Sequence, residues 1–358
     1  MKTVVLFDID SSIPNFALMK LSTYYKALGF NVMLSKEVRY LKAHQYFASA
    51  IFSTSSTMKK IVKLRNIYGD EVDIGGTGMD ISRKLPPEIE ACFPDYSLYD
   101  HTHYALGFLT RGCPKKCDFC IVPAKEGKLE MQTESFSGFV PPGWQNIMLL
   151  DNNLLGYANA HELLEEMVVN EYKVNFSQTL DIAYLDQYLY PILLKINSQN
   201  SRFTRKRIYF SLNHPGSIRQ FEIRKSMLKG FGKDMVSVVA MYGFDTSLSG
   251  DYARWMMLRR LGLVTFFQEY WPIGGVAAQL PEPYFDMDLD EVIRLTFRSN
   301  GINWEKYLRW LNRLYFKTFG RYYQPLIETI YRYNNKTAIQ RYLKHPGTLT
   351  SELYHSYL

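Results

Sequence analysis

Three closely spaced thiols are the strongest chemical signal in the sequence. Cys113, Cys117 and Cys120 lie in the stretch TRGCPKKCDFCIVP with the spacing C-x3-C-x2-C. Thiolates bind zinc and iron–sulfur clusters, and a structural zinc site or a cluster normally has four protein ligands. A site with three protein ligands leaves one coordination position open, as a metal centre that binds a substrate or a cofactor requires.

Zinc is the main alternative occupant of such a site. His101 and His103 lie near enough in sequence to supply a fourth ligand. Cys3His zinc sites commonly use C-x2-C pairs, so the spacing C-x3-C-x2-C is less usual for zinc. Three purely structural thiols are a further alternative. Cys92, upstream of the three, is interpreted as a small buried hydrophobic residue.

The composition is that of a globular chain of two or three domains. Its 358 residues are 47% hydrophobic and 15% aromatic, which suits a packed core and argues against disorder. No run of eighteen apolar residues occurs, and the first residues resemble a buried strand, so we expect no membrane span and a cytoplasmic location. A reducing compartment favours ligands or free thiols over disulfides. The net charge of +7 permits a polyanionic partner without requiring one.

The elements before residue 76 predict a small parallel α/β layer. Apolar runs of strand length alternate there with helix signals. The strand candidates are TVVLFDI, NVMLS, ASAIFS and EVDIGG, and the helix candidates are Pro14 to Gly29 and TMKKIVKLRNIYG. The glycine-rich GGTG that follows lacks the full phosphate-loop pattern and is predicted to be a tight turn.

A second α/β series begins at YALGFLTRG, directly before the thiols. Five further strand candidates follow, separated by segments of helix length: NIMLLDN, KVNFSQT, RIYFSLN, MVSVVAMYGF and LVTFFQEYW. Six such units predict a parallel sheet curved into a partial barrel, because a full eight-fold barrel needs ~250 residues. After about Pro281 only helices are predicted, so we expect three domains, 1–95, 96–275 and 276–358.

Basic residues recur at four-residue spacing in the predicted C-terminal helices. They are Arg309, Arg313, Lys317 and Arg321, and aromatic residues lie between them. Cations beside stacking rings would suit a nucleic acid, which is a candidate partner. A solvated helix face opposite a packed aromatic face is the favoured interpretation of the spacing.

The thiol spacing in this setting resembles that of a known superfamily. C-x3-C-x2-C with Phe119 before the last cysteine, on the loop after the first strand of a partial (β/α)6 barrel, is similar to the radical S-adenosylmethionine (SAM) superfamily. The resemblance runs from Tyr104 to about Trp271. The wider stretch TRGCPKKCDFCIVPAKEGK is similar to members with an N-terminal cobalamin-binding-type domain. The resemblance implies a flavodoxin-like α/β layer, a radical SAM barrel and a helical C-terminal region.

The resemblance also implies cofactors and a reaction. Cys113, Cys117 and Cys120 would hold a [4Fe–4S] cluster whose fourth iron binds SAM, and a flavodoxin or ferredoxin would donate the electron. Reductive cleavage of SAM would give methionine and a 5′-deoxyadenosyl radical that abstracts hydrogen from a substrate the sequence does not identify. The protein would orient these cofactors, which carry the difficult step. Phe119 matches the family position near the adenine.

Acidic and amide side chains after the second strand are the first candidates for SAM contacts. Asp151, Asn152 and Asn153 stand where the family has a Gly-Gly-Glu-like segment that holds the SAM amino group. Their side-chain oxygens accept hydrogen bonds from an ammonium group. Helix capping in a turn is the alternative role of such residues.

The next two strands supply further candidates through the same resemblance. Gln178 and Asp181 stand in FSQTLD, which is similar to the NQGLD segment of relatives, although Thr179 replaces its glycine. Asn213 follows the fourth strand, where a polar residue often meets the ribose or carboxylate of SAM in the family.

The first layer resembles a cobalamin domain in arrangement only. The segment D-x-H-x-x-G, which supplies a histidine to cobalt, is missing, and His44 in KAHQY lacks the required neighbours. We therefore expect a degenerate domain that packs against the barrel or the substrate. A cobalamin-dependent radical SAM methyltransferase is one alternative function. A nucleic-acid or protein-binding module with a structural metal site is the other.

Overall fold

The computed structural model describes residues 2–100, 102–133, 135–213, 215–232, 235–270 and 286. The chain divides into two compact units, Met1–Met241 with Met257–Ala277, and Tyr242–Met256 with Ala278–Leu358. The predicted helical region 276–358 and its basic series lie outside the described residues, apart from residue 286.

The first layer is a four-stranded sheet in which all neighbouring strands are parallel. The elements are β1 (Thr3–Asp8), α1 (Phe16–Ala27), β2 (Asn31–Ser35), β3 (Gln45–Ser49), α2 (Ser55–Tyr68) and β4 (Val72–Gly75). The strand order is β2-β1-β3-β4, so β1 and β3 are the central pair, and β2 and β4 are the two edge strands.

Local chemistry explains where the elements of this layer lie. Asn15 and Thr54 cap α1 and α2, since their side-chain oxygens accept from backbone N–H groups of the first turn. The central residues of β1 are completely buried, which requires cover on both faces of the sheet. The third strand lies earlier than its predicted stretch ASAIFS because Tyr46 and Ala48 are buried, whereas Phe52 is exposed.

The remaining strands form two more four-stranded sheets and a two-stranded ribbon. The strands are β5 (Ala105–Gly107), β6 (Thr110–Arg111), β7 (Glu130–Met131), β8 (Asn146–Leu149), β9 (Lys173–Phe176), β10 (Leu180–Asp181), β11 (Asn197–Ser198), β12 (Ile208–Leu212), β13 (Val236–Tyr242) and β14 (Val264–Glu269). One sheet has the order β11-β9-β8-β5, the other has the order β10-β12-β13-β14, and β6 pairs with β7 in the antiparallel ribbon.

The helices of this part of the chain follow the predicted alternation with strands. They are α3 (Pro87–Glu90), α4 (Val122–Lys125), α5 (Ala160–Val169), α6 (Leu189–Lys195), α7 (Ile218–Ile223), α8 (Lys225–Gly230) and α9 (Leu248–Arg260). The six strand candidates correspond to β5, β8, β9, β12, β13 and β14. The α/β class with parallel sheets is therefore confirmed. No helix within the described ranges is long and apolar enough to cross a lipid bilayer.

Two tyrosines, the half-buried Tyr96 and the buried Tyr99, tie the segment between the two series to both of them. The Tyr99 hydroxyl donates to Asp8 Oδ2 at 2.9 Å, at the end of β1. The Tyr96 hydroxyl accepts from the Leu106 N–H at 3.1 Å, in β5, and donates to Phe139 O at 2.5 Å. Burial raises the pKa of both phenols well above the usual value. The predicted boundary at 95/96 thus lies inside the first compact unit.

The GGTG segment is a tight turn, as the sequence predicts, and one of its glycines yields a stability test. Gly76 has φ +101° and an added Cβ would lie 2.2 Å from Ala50 O, whereas Gly29 has φ +80° with no atom within 4 Å of its added Cβ.

Gly29→Ala should lower the free energy of unfolding by about 1–2 kcal/mol because of the left-handed backbone alone. Gly76→Ala should cost more, because the backbone itself must shift. Thermal unfolding of both variants measures the difference, and equal losses would contradict the contact.

Candidate metal-binding site at the cysteine loop

The three cysteines lie on a loop that the β6–β7 ribbon closes at its base. Residues 112–129, here called the cysteine loop, follow the carboxyl end of β5. Within the loop the Cys113 N–H donates to Gly127 O at 3.4 Å, and the Cys120 N–H donates to Cys117 O at 2.9 Å. The thiols are therefore on a constrained loop at the edge where parallel sheets bind ligands.

Gly112 fixes how the chain enters the cysteine loop. Its backbone angle φ is +91°, which residues with a side chain rarely adopt. An added Cβ would lie 2.0 Å from Lys128 O, across the loop. Glycine is thus required both by the backbone angle and by the close approach of the two ends of the loop.

The thiols are close enough to affect one another electrostatically. Burial raises the pKa of Cys117, and Cys120 and Cys113 raise it further, while Lys115 lowers it. Burial also raises the pKa of Cys120. Since a metal displaces the thiol protons, binding would release them to solvent. In the described part of the chain, no three His, Cys, Asp or Glu side chains lie at the distances that a shared metal requires. The three thiols would therefore have to come closer to one another to bind the same metal.

The buried carboxylate of Asp151 holds the strand end from which the ribbon starts. It follows β8 and accepts from the Leu109 N–H at 3.1 Å and the Thr110 N–H at 2.6 Å. The Thr110 hydroxyl donates to it as well, at 2.8 Å. Burial raises the pKa of Asp151 to about 6, against the effect of these three donors. The carboxylate is engaged with backbone, so the predicted SAM contact through Asp151 would have to compete with these bonds.

The next two residues continue this attachment along the loop. Asn152 Oδ1 accepts from the Gly112 N–H at 3.1 Å. Asn153 Nδ2 donates to Cys113 Sγ at 3.3 Å, and the Lys115 N–H donates to the same sulfur at 3.4 Å. The side chains of Asp151, Asn152 and Asn153 therefore form a bracket that holds residues 109, 110, 112 and 113. Amide donors at a ligand sulfur orient it and tune a bound metal.

The side-chain oxygen of Asn153, Oδ1, has no hydrogen-bond partner among the described residues. Asn153 is 3% exposed, and its Oδ1 accepts no hydrogen bond within the described residues. A buried polar oxygen without a donor costs about 1–3 kcal/mol, so native structures seldom retain one unless something binds there. This oxygen lies on the residue that also contacts Cys113.

An ion pair joins the cysteine loop to β10, which is the edge strand of the β10-β12-β13-β14 sheet. Lys115 Nζ pairs with Asp181 Oδ2, and the Asp181 Oδ1 atom accepts from the Ala183 N–H at 3.0 Å. The ammonium also lies 5.4 Å from the centroid of the Tyr184 ring. The ion pair thus places Asp181 beside the loop, through a lysine that the sequence analysis did not single out. The contact of Asp181 with SAM stays a prediction.

The remaining predicted residues lie at or near the same edge. Gln178 is exposed on the turn after β9, Asn213 is half-buried after β12, and Phe119 is half-buried in the cysteine loop. Within the described residues no hydrogen bond or ion pair joins Gln178 or Asn213 to the loop. Thr179, which replaces the glycine of similar sequences, has φ +69° and keeps the backbone that glycine would favour.

The first α/β layer contributes contacts to the cysteine loop. Lys125 Nζ, at the end of α4, donates to Thr77 Oγ1 in the GGTG turn. Arg111 pairs with Glu90 at 3.4 Å and with Glu126 at 3.7 Å. Burial lowers the pKa of Lys125, so the lysine is held in a partly desolvated position. The carboxyl edge of the first layer is therefore in contact with the loop that carries the thiols.

His103, which is near the thiols in sequence, is not near them in the fold. His103 precedes β5 and its ring contacts Tyr104 and Phe203, at the opposite end of the strand from the cysteine loop. His103 is therefore not placed to complete a zinc site, and His101 lies outside the described residues. His44 Nδ1 accepts from the Thr3 N–H at 3.0 Å, at the amino end of β1. It is thus at the edge away from the ligand-binding ends of the strands.

Cys92 differs from the buried hydrophobic residue that the sequence predicts. It is half-buried, and its thiol donates to Glu88 O at 3.3 Å in the last turn of α3. Burial raises its pKa, and nearby Lys20 lowers it. It is a hydrogen-bonded thiol of the first layer, separate from the cysteine loop.

Several residues of the site could not be singled out from the sequence. Thr110, Gly112, Lys115 and Lys125 all bond or pack within the site, although each is an ordinary residue type for a loop. The signal that could have found Gly112 is its position directly before the first thiol. The partners of the others are distant in sequence.

No protein-family model matches the chain, and a search of curated proteins finds no similar sequence.

The raised pKa of Asp151 predicts how stability changes with pH. Its folded pKa of about 6 exceeds the ordinary 3.8, so the stabilisation belongs to the protonated form. It is complete below pH 4 and is lost as the pH rises through 6. The free energy of unfolding of the native protein, minus that of Asp151→Asn, should fall by about 3 kcal/mol over this range. Urea unfolding at several pH values measures it, and a difference that grows with pH would show that Asp151 ionises readily in the fold.

Proposed function

We propose that this protein is a radical SAM enzyme that uses a [4Fe–4S] cluster on Cys113, Cys117 and Cys120. When bound, the cluster would supply the electron for cleaving SAM, and the resulting 5′-deoxyadenosyl radical would abstract hydrogen from the substrate. The donor set supports this in kind, since three thiols leave one position open for SAM. The reaction after hydrogen abstraction and the substrate are not part of the proposal.

The bracket between the strand end and the cysteine loop is the observation that carries the proposal. Asp151 bonds Thr110 in β6, directly before the loop, Asn152 bonds Gly112 at its start, and Asn153 reaches the sulfur of Cys113. Such bonds preorganise one thiol. A ligand whose orientation is fixed by neighbouring donors is typical of functional metal centres.

The sheet arrangement supports the same proposal. The six strands β5, β8, β9, β12, β13 and β14 follow one another with helices between most of them, and we propose that they form the partial barrel of a radical SAM domain. The candidate residues come from the carboxyl ends of β5, β8, β9 and β12 and from β10 beside them. In barrels and open parallel sheets this end carries the chemistry.

Asn153 is the residue best suited to bind SAM. Its buried Oδ1 is an acceptor without a donor within the described residues, and the amino group of SAM supplies donors. Asp151 already accepts three hydrogen bonds and serves to hold the loop. Asp151 would thus hold the start of the ribbon, whereas Asn153 would orient Cys113 through its Nδ2 and contact the cofactor through its Oδ1.

The first layer would act as a scaffold for the cysteine loop. Its own side chains cross-link its carboxyl edge, where Asp10 accepts from the Ile51 and Phe52 N–H groups. The Thr57 hydroxyl donates to the same carboxylate at 2.9 Å. No observation favours cobalamin at this edge, so the methyltransferase is not proposed.

The ligand assignment predicts the iron content of variants. After anaerobic reconstitution with iron and sulfide, the protein should bind about four irons per chain. Cys113→Ala, Cys117→Ala and Cys120→Ala should each lose the cluster, since two thiols cannot hold it. Cys92→Ala is the matched control, because this thiol bonds only to α3, and it should keep full iron content. Iron and sulfide analysis gives the result. Loss of the cluster in Cys92→Ala alone would overturn the assignment.

The role of Asn153 predicts a separable effect on SAM. Asn153→Ala should keep its iron, because all three thiols remain, but bind SAM roughly tenfold or more weakly, since a hydrogen bond to a charged group is lost. Asn159→Ala is the control, as this exposed side chain makes no capping bond. SAM titration measures affinity, and 5′-deoxyadenosine formed with dithionite measures cleavage.

Two results would contradict this part of the proposal. Unchanged SAM affinity in Asn153→Ala would leave the residue with its loop-holding role alone. A reconstituted native protein with four irons that forms no 5′-deoxyadenosine from SAM would contradict the radical SAM function itself.

A further inference from the structure

A concentration of positive charge lies between β11 and β12. Residues 199–207, here called the basic hairpin, lie within a segment, 187–221, that contains no Asp or Glu. Surface cations are usually interspersed with acids, which keeps the local field small. The Lys and Arg residues of this segment are Lys195, Arg202, Arg205, Lys206, Arg207 and Arg219.

Backbone and amide bonds fix the shape of the hairpin. Gln199 and Lys206 form an antiparallel bridge. The Asn200 N–H donates to Arg205 O at 3.0 Å, and Asn200 Oδ1 accepts from the Thr204 N–H at 2.9 Å. These bonds close the turn on both sides of its tip, so the basic side chains project from a defined backbone.

An aromatic anchor holds the tip against the protein. Phe203 has φ +54°, a left-handed conformation that costs a residue with a side chain about 1–2 kcal/mol. Its ring stacks on Tyr104, with centroids 5.5 Å apart and an interplanar angle of 29°. The packing maintains a backbone that a loose loop would not retain.

Three of the four cations of the hairpin have no hydrogen-bond or ion-pair partner within the described chain. Arg202, Arg205 and Lys206 are exposed, and their side chains make neither an ion pair nor a hydrogen bond there. Arg207 differs, since its Nη1 donates to Ser237 Oγ at 3.0 Å. Burial raises the pKa of Tyr209, while Arg207 and Arg205 lower it, so both guanidiniums lie near this phenol. A fixed turn thus presents unneutralised charge at little further entropic cost.

The hairpin lies at the opposite end of the strands from the thiols. β11 pairs with the first residues of β9, and the hairpin leads directly into the amino end of β12. The cysteine loop follows the carboxyl end of β5. The hairpin therefore takes no part in the metal site and requires a separate explanation.

We propose that the basic hairpin binds the phosphodiester backbone of a nucleic acid. Arginine forks suit phosphate oxygens, and three of the four hairpin cations are arginines. The hairpin exposes no large apolar side chain, which insertion into a membrane surface or the core of a protein interface would require. The inference depends only on this charged surface and not on a bound cluster.

Binding of the full chain to fluorescent 20-nucleotide RNA and DNA of one sequence tests the proposal. The variant Arg202→Gln/Arg205→Gln/Lys206→Gln should bind roughly tenfold or more weakly near 0.1 M salt, because up to three phosphate contacts are lost. The slope of log affinity against log salt should shrink by about 2 for a single strand. Weakened binding of RNA, of DNA or of both supports the proposal and identifies the source of the phosphate.

A matched variant separates this site from general charge. Lys42→Gln/Lys59→Gln/Lys63→Gln removes the same charge from exposed lysines of the first layer and should bind like the native protein. Equal affinity of the hairpin variant and the native protein, or an equal loss in the lysine control, would overturn the proposal. So would binding of the native protein to phosphatidylserine vesicles but to neither oligonucleotide.

Discussion

The geometry of the cysteine loop depends on one buried carboxylate. Asp151 collects two backbone N–H groups and one hydroxyl from residues 109–110, just where the chain leaves the first strand of the second α/β series. Without it these donors would be buried without an acceptor, and the ribbon that closes the loop would lose its fixed start. The two asparagines that follow extend the same attachment to Gly112 and Cys113.

A carboxylate suits this position because of its acceptor capacity. Its two oxygens offer about four acceptor sites and no donor when ionised, whereas an amide offers one oxygen and would turn its NH2 group toward another donor. The cost is the burial of a charge, which appears as the raised pKa of Asp151. Hydrogen bonds from neutral groups offset that cost only in part, so the site retains some electrostatic strain.

The two ends of the strands carry different groups of side chains. The carboxyl end carries the thiols, and the first layer supports it through Lys125 and through Arg111 with its two carboxylate partners. The amino end carries the basic hairpin, held by Asn200 and the stacked ring of Phe203. A protein that acts at one edge and attaches to a larger anion at the other would keep the two tasks mechanically separate.

Residue types and their spacing specify the secondary-structure elements and the candidate donor atoms. Apolar runs, caps and glycines favour the strands and helices locally, and the thiol spacing indicates the loop that we propose holds a metal. The α/β class and the order of the elements could therefore be predicted, while the start of β3 could not, because the alternation of buried and exposed residues depends on what covers each face.

The hydrogen-bond and ion-pair partners of the site's side chains follow from the tertiary structure. Asp151 bonds residues about forty positions earlier, Lys115 pairs with Asp181, and His103 lies at the wrong end of its strand for the thiols. Contacts of this kind arise when the sheet brings distant segments to one edge, and residue type alone does not encode them. The basic hairpin shows the same limit, since its charges are visible in the sequence but their lack of partners in the described chain is visible only in the fold.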